Sequence, residues 1–204
     1  VRNGLILSIP VLMIGSFALI FQNLPIAAYQ AFIQSFAGGM LVTLFSFVNT
    51  ATFGLLSVYM SVFISVSYIR NHPTNALFPY GASVTALICF AILAGMGSAS
   101  FSIDYFGVKG MFTAIVASTI TSVLFTRVNQ WLAGHKRRLR AEGADAEFNN
   151  AVSVILPSVL VILLFSAVRL TIMRAFGVSG LHELFISVAT KLFQGAVTNF
   201  VPRA

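Results

Sequence analysis

The sequence is short of charged residues. Asp, Glu, Lys and Arg make up 8% of its 204 residues, whereas an ordinary soluble domain carries about 25%. Hydrophobic residues reach 58%, and the mean hydropathy is +0.93. So few charges cannot solvate a globule of this size, which excludes a soluble domain and predicts that lipid surrounds most of the chain.

Cysteine and the common catalytic motifs are also scarce. The single Cys89 lies in an apolar run, so an intrachain disulfide is excluded and no cysteine-based metal cluster is suggested. The sequence contains no phosphate-binding loop, no GxSxG and no HExxH. We therefore predict no catalytic, metal-ligating or cofactor-binding residue in this segment, assign no substrate-binding residue, and leave enzymatic activity undecided.

Long apolar runs are what the sequence has instead. A helix needs about 20 apolar residues to cross a membrane, and such runs predict spans at 4–21, 51–69, 77–96, 110–128 and 151–172. Helical spacing of apolar residues predicts interfacial amphipathic helices at 22–36 and 173–204, and a short interfacial or re-entrant helix at 39–48, divided from the second span at Asn49-Thr50. The predicted fold is one all-α membrane domain over 1–204, with about five transmembrane helices plus interfacial helices.

The basic residues lie beside these runs. A net charge of +7 is also typical of nucleic-acid-binding proteins. Here the basic residues are not spread over a soluble surface, so we predict no nucleic-acid partner. Lys136, Arg137, Arg138 and Arg140 share one loop, which predicts that the N-terminus and the 129–150 loop are cytoplasmic. The loop could also bind anionic headgroups or a cytosolic partner, although orientation alone explains it.

Few residues inside or beside the spans could carry chemistry. Arg169 lies near the end of the fifth predicted span, where snorkelling to the interface is favoured over a functional ion pair. His182 and Glu183 are adjacent, so they point to different faces of a helix and are poor partners for a shared ion. His72 and His135 read as loop residues. Glycines that could permit close contact or re-entrant turns are Gly38, Gly39, Gly107 and Gly110.

The two ends of the sequence suggest a piece of a longer protein. The chain begins Val1-Arg2, without an initiator Met, and stops at Pro202-Arg203-Ala204. No small-residue cleavage site follows the first apolar run, so a true span is expected there rather than a cleaved signal peptide.

Several local patterns resemble one family. Val1-Arg2-Asn3-Gly4-Leu5-Ile6, followed by Ser8-Ile9-Pro10 and Gly15-Ser16-Phe17, is similar to the start of the bacterial phosphotransferase-system enzyme IIC in its lactose, cellobiose and diacetylchitobiose branch. The similarity continues along the chain at Leu24-Pro25, 50–56, Phe106-Gly107-Val108-Lys109-Gly110-Met111-Phe112-Thr113-Ala114 and Gly180-Leu181-His182-Glu183-Leu184-Phe185. It covers nearly all 204 residues, as the N-terminal half of that membrane domain.

The resemblance implies a function and partners. It implies a multi-pass protein of the bacterial inner membrane that forms a homodimer through this half. The sugar would be held by His and Glu residues beyond Ala204, and a cytoplasmic enzyme IIB subunit would phosphorylate a disaccharide of the cellobiose, lactose or chitobiose type.

Two other functions stay open. The approach to the fifth span at Glu147-Phe148-Asn149-Asn150-Ala151-Val152 has only the later Pro157, whereas the family usually has more prolines there. A non-transporting membrane sensor or anchor for a cytoplasmic signalling domain is therefore the main alternative. An unrelated secondary transporter is the third, and inverted repeats would favour it.

Overall fold

Helices form all the regular structure in the part of the chain that the structure describes. The computed structural model describes residues 1–72, 79–99, 101–132, 145–178, 183–185 and 187. Its α-helices, in chain order, are α1 Arg2–Leu7, α2 Ile9–Asn23, α3 Ala27–Ser35, α4 Met40–Thr52, α5 Leu56–Arg70, α6 Pro79–Leu93, α7 Met111–Trp131 and α8 Ala146–Phe176.

The predicted all-α membrane fold is confirmed. Four helical stretches are long and apolar enough to cross a bilayer, namely Arg2–Asn23, Met40–Arg70, Val108–Trp131 and Val152–Phe176. The shorter apolar helix α6, at Pro79–Leu93, is the fifth. Each of these five contains or closely matches one predicted span, because a continuous apolar run specifies a membrane helix almost unaided.

The structure corrects one boundary. The predicted short helix at 39–48 and its division from the second span at Asn49-Thr50 are wrong, because α4 runs unbroken through both residues to Thr52. The irregularity lies at Phe53–Leu55, a 3-10 turn that contains Gly54 and leads directly into α5. The Thr52 hydroxyl donates to the Val48 carbonyl at 2.8 Å, so this polar side chain is hydrogen-bonded within its own helix and does not interrupt it.

The first two long stretches form a tight antiparallel hairpin. Gly4 faces Ile64, and a Cβ added at Gly4 would lie only 2.5 Å from the Ile64 Cα. Further along, Gly15 meets the Thr52 side chain. Glycine is what allows two membrane helices to approach this closely.

The tip of the hairpin, which is the end that carries Asn23 and α3, is closed by side chains. The rings of Phe21 and Phe45 stack with centroids 5.9 Å apart. The Tyr29 hydroxyl donates to the Phe21 carbonyl at 2.7 Å, and the Gln30 amide donates to the carbonyls of Gln22 and Leu24 at 3.1 and 3.0 Å. Helix α3 is thereby bonded to the end of α2, within the region where an amphipathic helix was predicted.

Helices α5 to α8 form a bundle in which small residues and hydroxyl groups fill many of the helix contacts, around a core that also contains Phe90 and Phe125. Helix α5 packs on α6 and α7, and α6 also packs on α7 and α8. The Thr85 hydroxyl donates to Ser158 Oγ at 2.8 Å, and Arg169 meets Met96 across the same pair of chain segments; both pairs are 73 residues apart in the chain, so α6 and α8 run parallel. The residues buried at these contacts include Ser57, Ser61, Ser65, Ala82, Thr85, Ala86, Ala114, Ala117, Ser118, Thr121 and Ser122.

Several hydroxyl groups of α7 cost little to bury because they bond to their own helix. Ser122 donates to the Ser118 carbonyl at 2.7 Å and Thr126 to the Ser122 carbonyl at 2.8 Å. Many large apolar side chains lie on the outside, for example Phe17, Ile20, Leu163 and Leu170. Such an apolar outer surface suits a lipid solvent, where packing and hydrogen bonding hold helices together.

The hairpin contact yields a testable consequence. Gly4→Ala is expected to destabilise the protein by about 1–3 kcal/mol, because the new methyl group meets the Ile64 backbone, which cannot give way. The measurement is the midpoint of thermal unfolding of the detergent-solubilised protein, followed by circular dichroism. Gly54→Ala is the matched control, since its Cβ would meet only the Thr50 methyl group at 3.5 Å. Equal midpoints for the two variants would contradict the close contact.

Candidate functional site

A cleft opens where the hairpin meets the bundle. It has a volume of about 870 Å³. Three segments surround it: the second half of α4, the 3-10 turn after it, and the loop between α6 and α7. Its lining residues are Ser46, Phe47, Asn49, Thr50, Ala51, Phe53, Gly54, Leu55, Ile103, Asp104, Gly107, Val108 and Lys109. We refer to this cleft as the recess.

The floor of the recess is the loop before α7, fixed to the break in the long helix. Ser57 donates its hydroxyl hydrogen to the Gly107 carbonyl. A Cβ at Gly107 would lie 2.9 Å from the Phe53 carbonyl oxygen. Gly107 therefore lets the loop backbone lie directly on the 3-10 turn, which is the close contact that its glycine predicted. Gly110 likewise packs against the Tyr105 backbone.

An ion pair stands at the mouth of the recess. Lys109 Nζ lies 2.6 Å from Asp104 Oδ2, and the two side chains are 64% and 54% exposed. The Asp104 backbone N–H bonds to the Ser102 hydroxyl at 3.3 Å, which starts the 3-10 turn at 103–106. Asp104 and Lys109 carry opposite charges, so the described residues that line the recess carry no net charge.

The wall contributed by α4 is polar on one side. Ser46, Asn49 and Thr50 recur at helical spacing and line the recess, next to the 70% exposed Phe47. Such a polar stripe on a membrane helix is a signal that the sequence contained and that our sequence analysis did not use. Its role became visible only when the fold placed the loop opposite it.

Arg169 bonds to the backbone of the segment that follows α6. Its guanidinium donates to the carbonyls of Met96 and Gly95, at 2.6 and 3.2 Å. These carbonyls belong to the turn after the C-terminal end of α6, where backbone oxygens carry partial negative charge. Arg169 of α8 therefore caps the end of α6, a contact that the sequence did not predict.

A second, smaller pocket lies at the opposite end of the hairpin. It has a volume of about 260 Å³ and is lined by Val1, Arg2, Asn3, Ser67, Tyr68, Asn71 and His72. The His72 ring lies 5.7 Å from the Tyr68 ring, centroid to centroid. His72 is thus in the connection after α5, as predicted, and none of the described residues that line this pocket is acidic.

Among the described residues, the others that the sequence singled out do not assemble into a site. Cys89 is buried in the bundle without a disulfide. Gly38 and Gly39 have positive φ at the turn between α3 and α4, so they serve backbone conformation and not close helix contact. Within the described residues, no three His, Cys, Asp or Glu side chains could hold a metal ion. His135, Lys136, Arg137, Arg138, Arg140 and His182 lie outside the described residues, and Glu183 is half-buried.

Comparisons with known proteins give a consistent picture. No family model matches the sequence. The chain is 24% identical over 197 residues to the lichenan permease IIC component of Bacillus subtilis (strain 168), covering 90% of this chain and 42% of that protein. It is 24% identical over 141 residues to the cellobiose-specific EIIC component of the phosphotransferase system of Geobacillus stearothermophilus, covering 64% of this chain and 31% of that protein.

A solved structure shares the fold. The crystal structure of ChbC, the IIC component from the N,N'-diacetylchitobiose-specific phosphotransferase system, matches with a TM-score of 0.75 at 20% identity, over 96% of this chain. The chain is similar in sequence and in fold to IIC components of the phosphotransferase system. The resemblance seen in the sequence is thereby confirmed. The chain spans less than half the length of the proteins it matches, covering 46% of the ChbC chain.

The capping role of Arg169 can be tested. Arg169→Met is expected to destabilise the protein by about 1.5 kcal/mol, the lower end of the range for hydrogen bonds to a charged group, because the side chain is only half-buried. Arg169→Lys should recover part of the loss. Arg174→Met, at an exposed position of the same helix, is the control in a thermal unfolding series. An unchanged midpoint for Arg169→Met would refute the capping role.

Proposed function

We propose that the chain is the scaffold and dimerisation half of a phosphotransferase-system sugar permease. The observation that carries the proposal is the ChbC-like fold over 96% of the chain, together with relatives named as lichenan and cellobiose permeases. The full protein imports a disaccharide of the cellobiose, lactose or chitobiose type and couples its entry to phosphorylation.

The roles of this chain and of the other half of the permease follow from the groups that the described residues contain. Most of their buried polar groups are hydroxyl groups, many of which bond to their own helix, and the close glycine contacts make the hairpin a rigid support. We infer that this chain is the N-terminal half of the permease, and that the sugar is phosphorylated while held by the other half. Movement of that half against the scaffold carries the sugar across the membrane.

The proposed partners match the surfaces of the scaffold. The exposed apolar face of α2, which includes Met13, Ile14 and Phe17, suits lipid or a second copy of the chain, and we propose a homodimer. The basic 129–150 loop favours its own placement in the cytoplasm, on the side where an enzyme IIB subunit would dock. In this orientation the Arg70 end of the hairpin faces the cytoplasm and the tip faces outwards.

Uptake by the full-length protein tests this function. Cells that express it, together with the phosphotransfer subunits, are expected to accumulate radiolabelled cellobiose or diacetylchitobiose as the phosphosugar. Accumulation should disappear when the IIB subunit is omitted, because entry is coupled to phosphoryl transfer.

Two controls sharpen the uptake measurement. Ile14→Leu, on the exposed face of α2, should leave uptake unchanged, and a sugar outside the β-linked disaccharide class should not accumulate. Sugar binding without uptake in the presence of every subunit would contradict a permease and support the membrane sensor or anchor instead.

A further inference from the structure

The recess lies below the level of the hairpin tip. Gly15 packs beside Thr52 and Phe53, and Gly107 of the floor packs on the same Phe53. Helix α2 continues beyond Gly15 to Asn23, which is about 12 Å further at a rise of 1.5 Å per residue. Since Gln22 and Asn23 mark the polar end of an apolar helix, the floor lies at membrane depth.

Backbone of this kind is not stable against lipid. The loop that forms the floor consists of short 3-10 turns at Ile103–Phe106 and Val108–Gly110, which leave backbone groups without helical partners. Within the hydrocarbon region such backbone occurs only where protein buries it or where it borders water. The exposed ion pair and the polar stripe of α4 impose the same condition, because charged and polar groups are costly in hydrocarbon.

The lining of the recess also indicates what it accepts besides water. Its volume of about 870 Å³ falls within the range of about 300–1,000 Å³ that is typical of small-molecule sites. Asn49, Ser46 and Thr50 offer hydrogen-bonding groups beside the exposed ring of Phe47. A lining with no net charge, hydroxyl-bonding groups and an aromatic face suits a neutral, hydroxyl-rich ring better than an ion or an acyl chain.

We propose that the recess is a water-filled outer vestibule in which the sugar docks before it passes to the other half of the permease. The proposal rests on the proposed function for the identity of the sugar. Its solvation, however, rests only on the depth of the floor and on the polar lining. Phe47 and Thr50 are the residues expected to contact the sugar, with Asn49 beside them on the same wall, and the Asp104–Lys109 pair holds the mouth of the vestibule in shape.

Cysteine labelling of the full-length protein tests the vestibule. Asn49→Cys, in a Cys89→Ser background with any other cysteines removed, is expected to react with a membrane-impermeant thiol reagent in right-side-out vesicles. Ile14→Cys, exposed on the apolar face of α2, should not react. Saturating cellobiose or diacetylchitobiose, without phosphotransfer subunits, should slow the reaction at position 49 at least about fivefold. Gln34→Cys, on α3 outside the recess, should react equally with and without sugar.

The outcomes separate this proposal from the proposed function. Absence of reaction at position 49, while position 34 reacts, would overturn the vestibule even if uptake is normal. Reaction that sugar does not slow would overturn docking, again without bearing on uptake. Protection at position 49 by either sugar supports docking even in a protein that fails to accumulate phosphosugar. Phe47→Ala should then weaken the protection by raising the sugar concentration required, whereas Leu44→Ala should not.

Discussion

The close approach of helices through small side chains is the constraint on which the rest of the structure depends. In lipid, burying apolar side chains between helices gains little, because acyl chains solvate them equally well. Gly4 and Gly15 bring α1 and α2 onto the long helix, and alanines and serines bring α5, α6 and α7 together. At each of these contacts a small side chain lets two backbones lie close together.

This constraint also explains where the irregular backbone lies. The 3-10 turn at Phe53–Leu55 is the point where α2 and the loop before α7 both contact the long helix. Glycine occupies each of these three segments at the contact, as Gly15, Gly54 and Gly107. The recess forms beside this contact, because the hairpin continues beyond the 3-10 turn whereas the bundle ends at the level of the turn.

The sequence predicted the spans well and the site poorly, for physical reasons. A run such as 110–128 specifies its helix locally, because lipid leaves the backbone few alternatives. The break was predicted at Asn49-Thr50 on polarity, but Thr52 bonds within its own helix and the break lies at the 3-10 turn Phe53–Leu55. The contact of Arg169 with Met96 joins positions 73 residues apart, and the recess combines three separate segments. Neither follows from local pattern, although the spacing of Ser46, Asn49 and Thr50 already marked a polar face.

The bundle requires small residues where its helices meet, and substitutions at one buried and one exposed alanine test this requirement directly. Ala117 is fully buried on α7, whereas Ala167 is exposed on α8. Ala117→Leu should lower the midpoint of thermal unfolding, because overpacking destabilises the bundle by about 1–3 kcal/mol. The midpoints of Ala167→Leu and of the small-residue variant Ala117→Ser should stay near that of the parent protein. Equal midpoints for Ala117→Leu and Ala167→Leu would contradict the account.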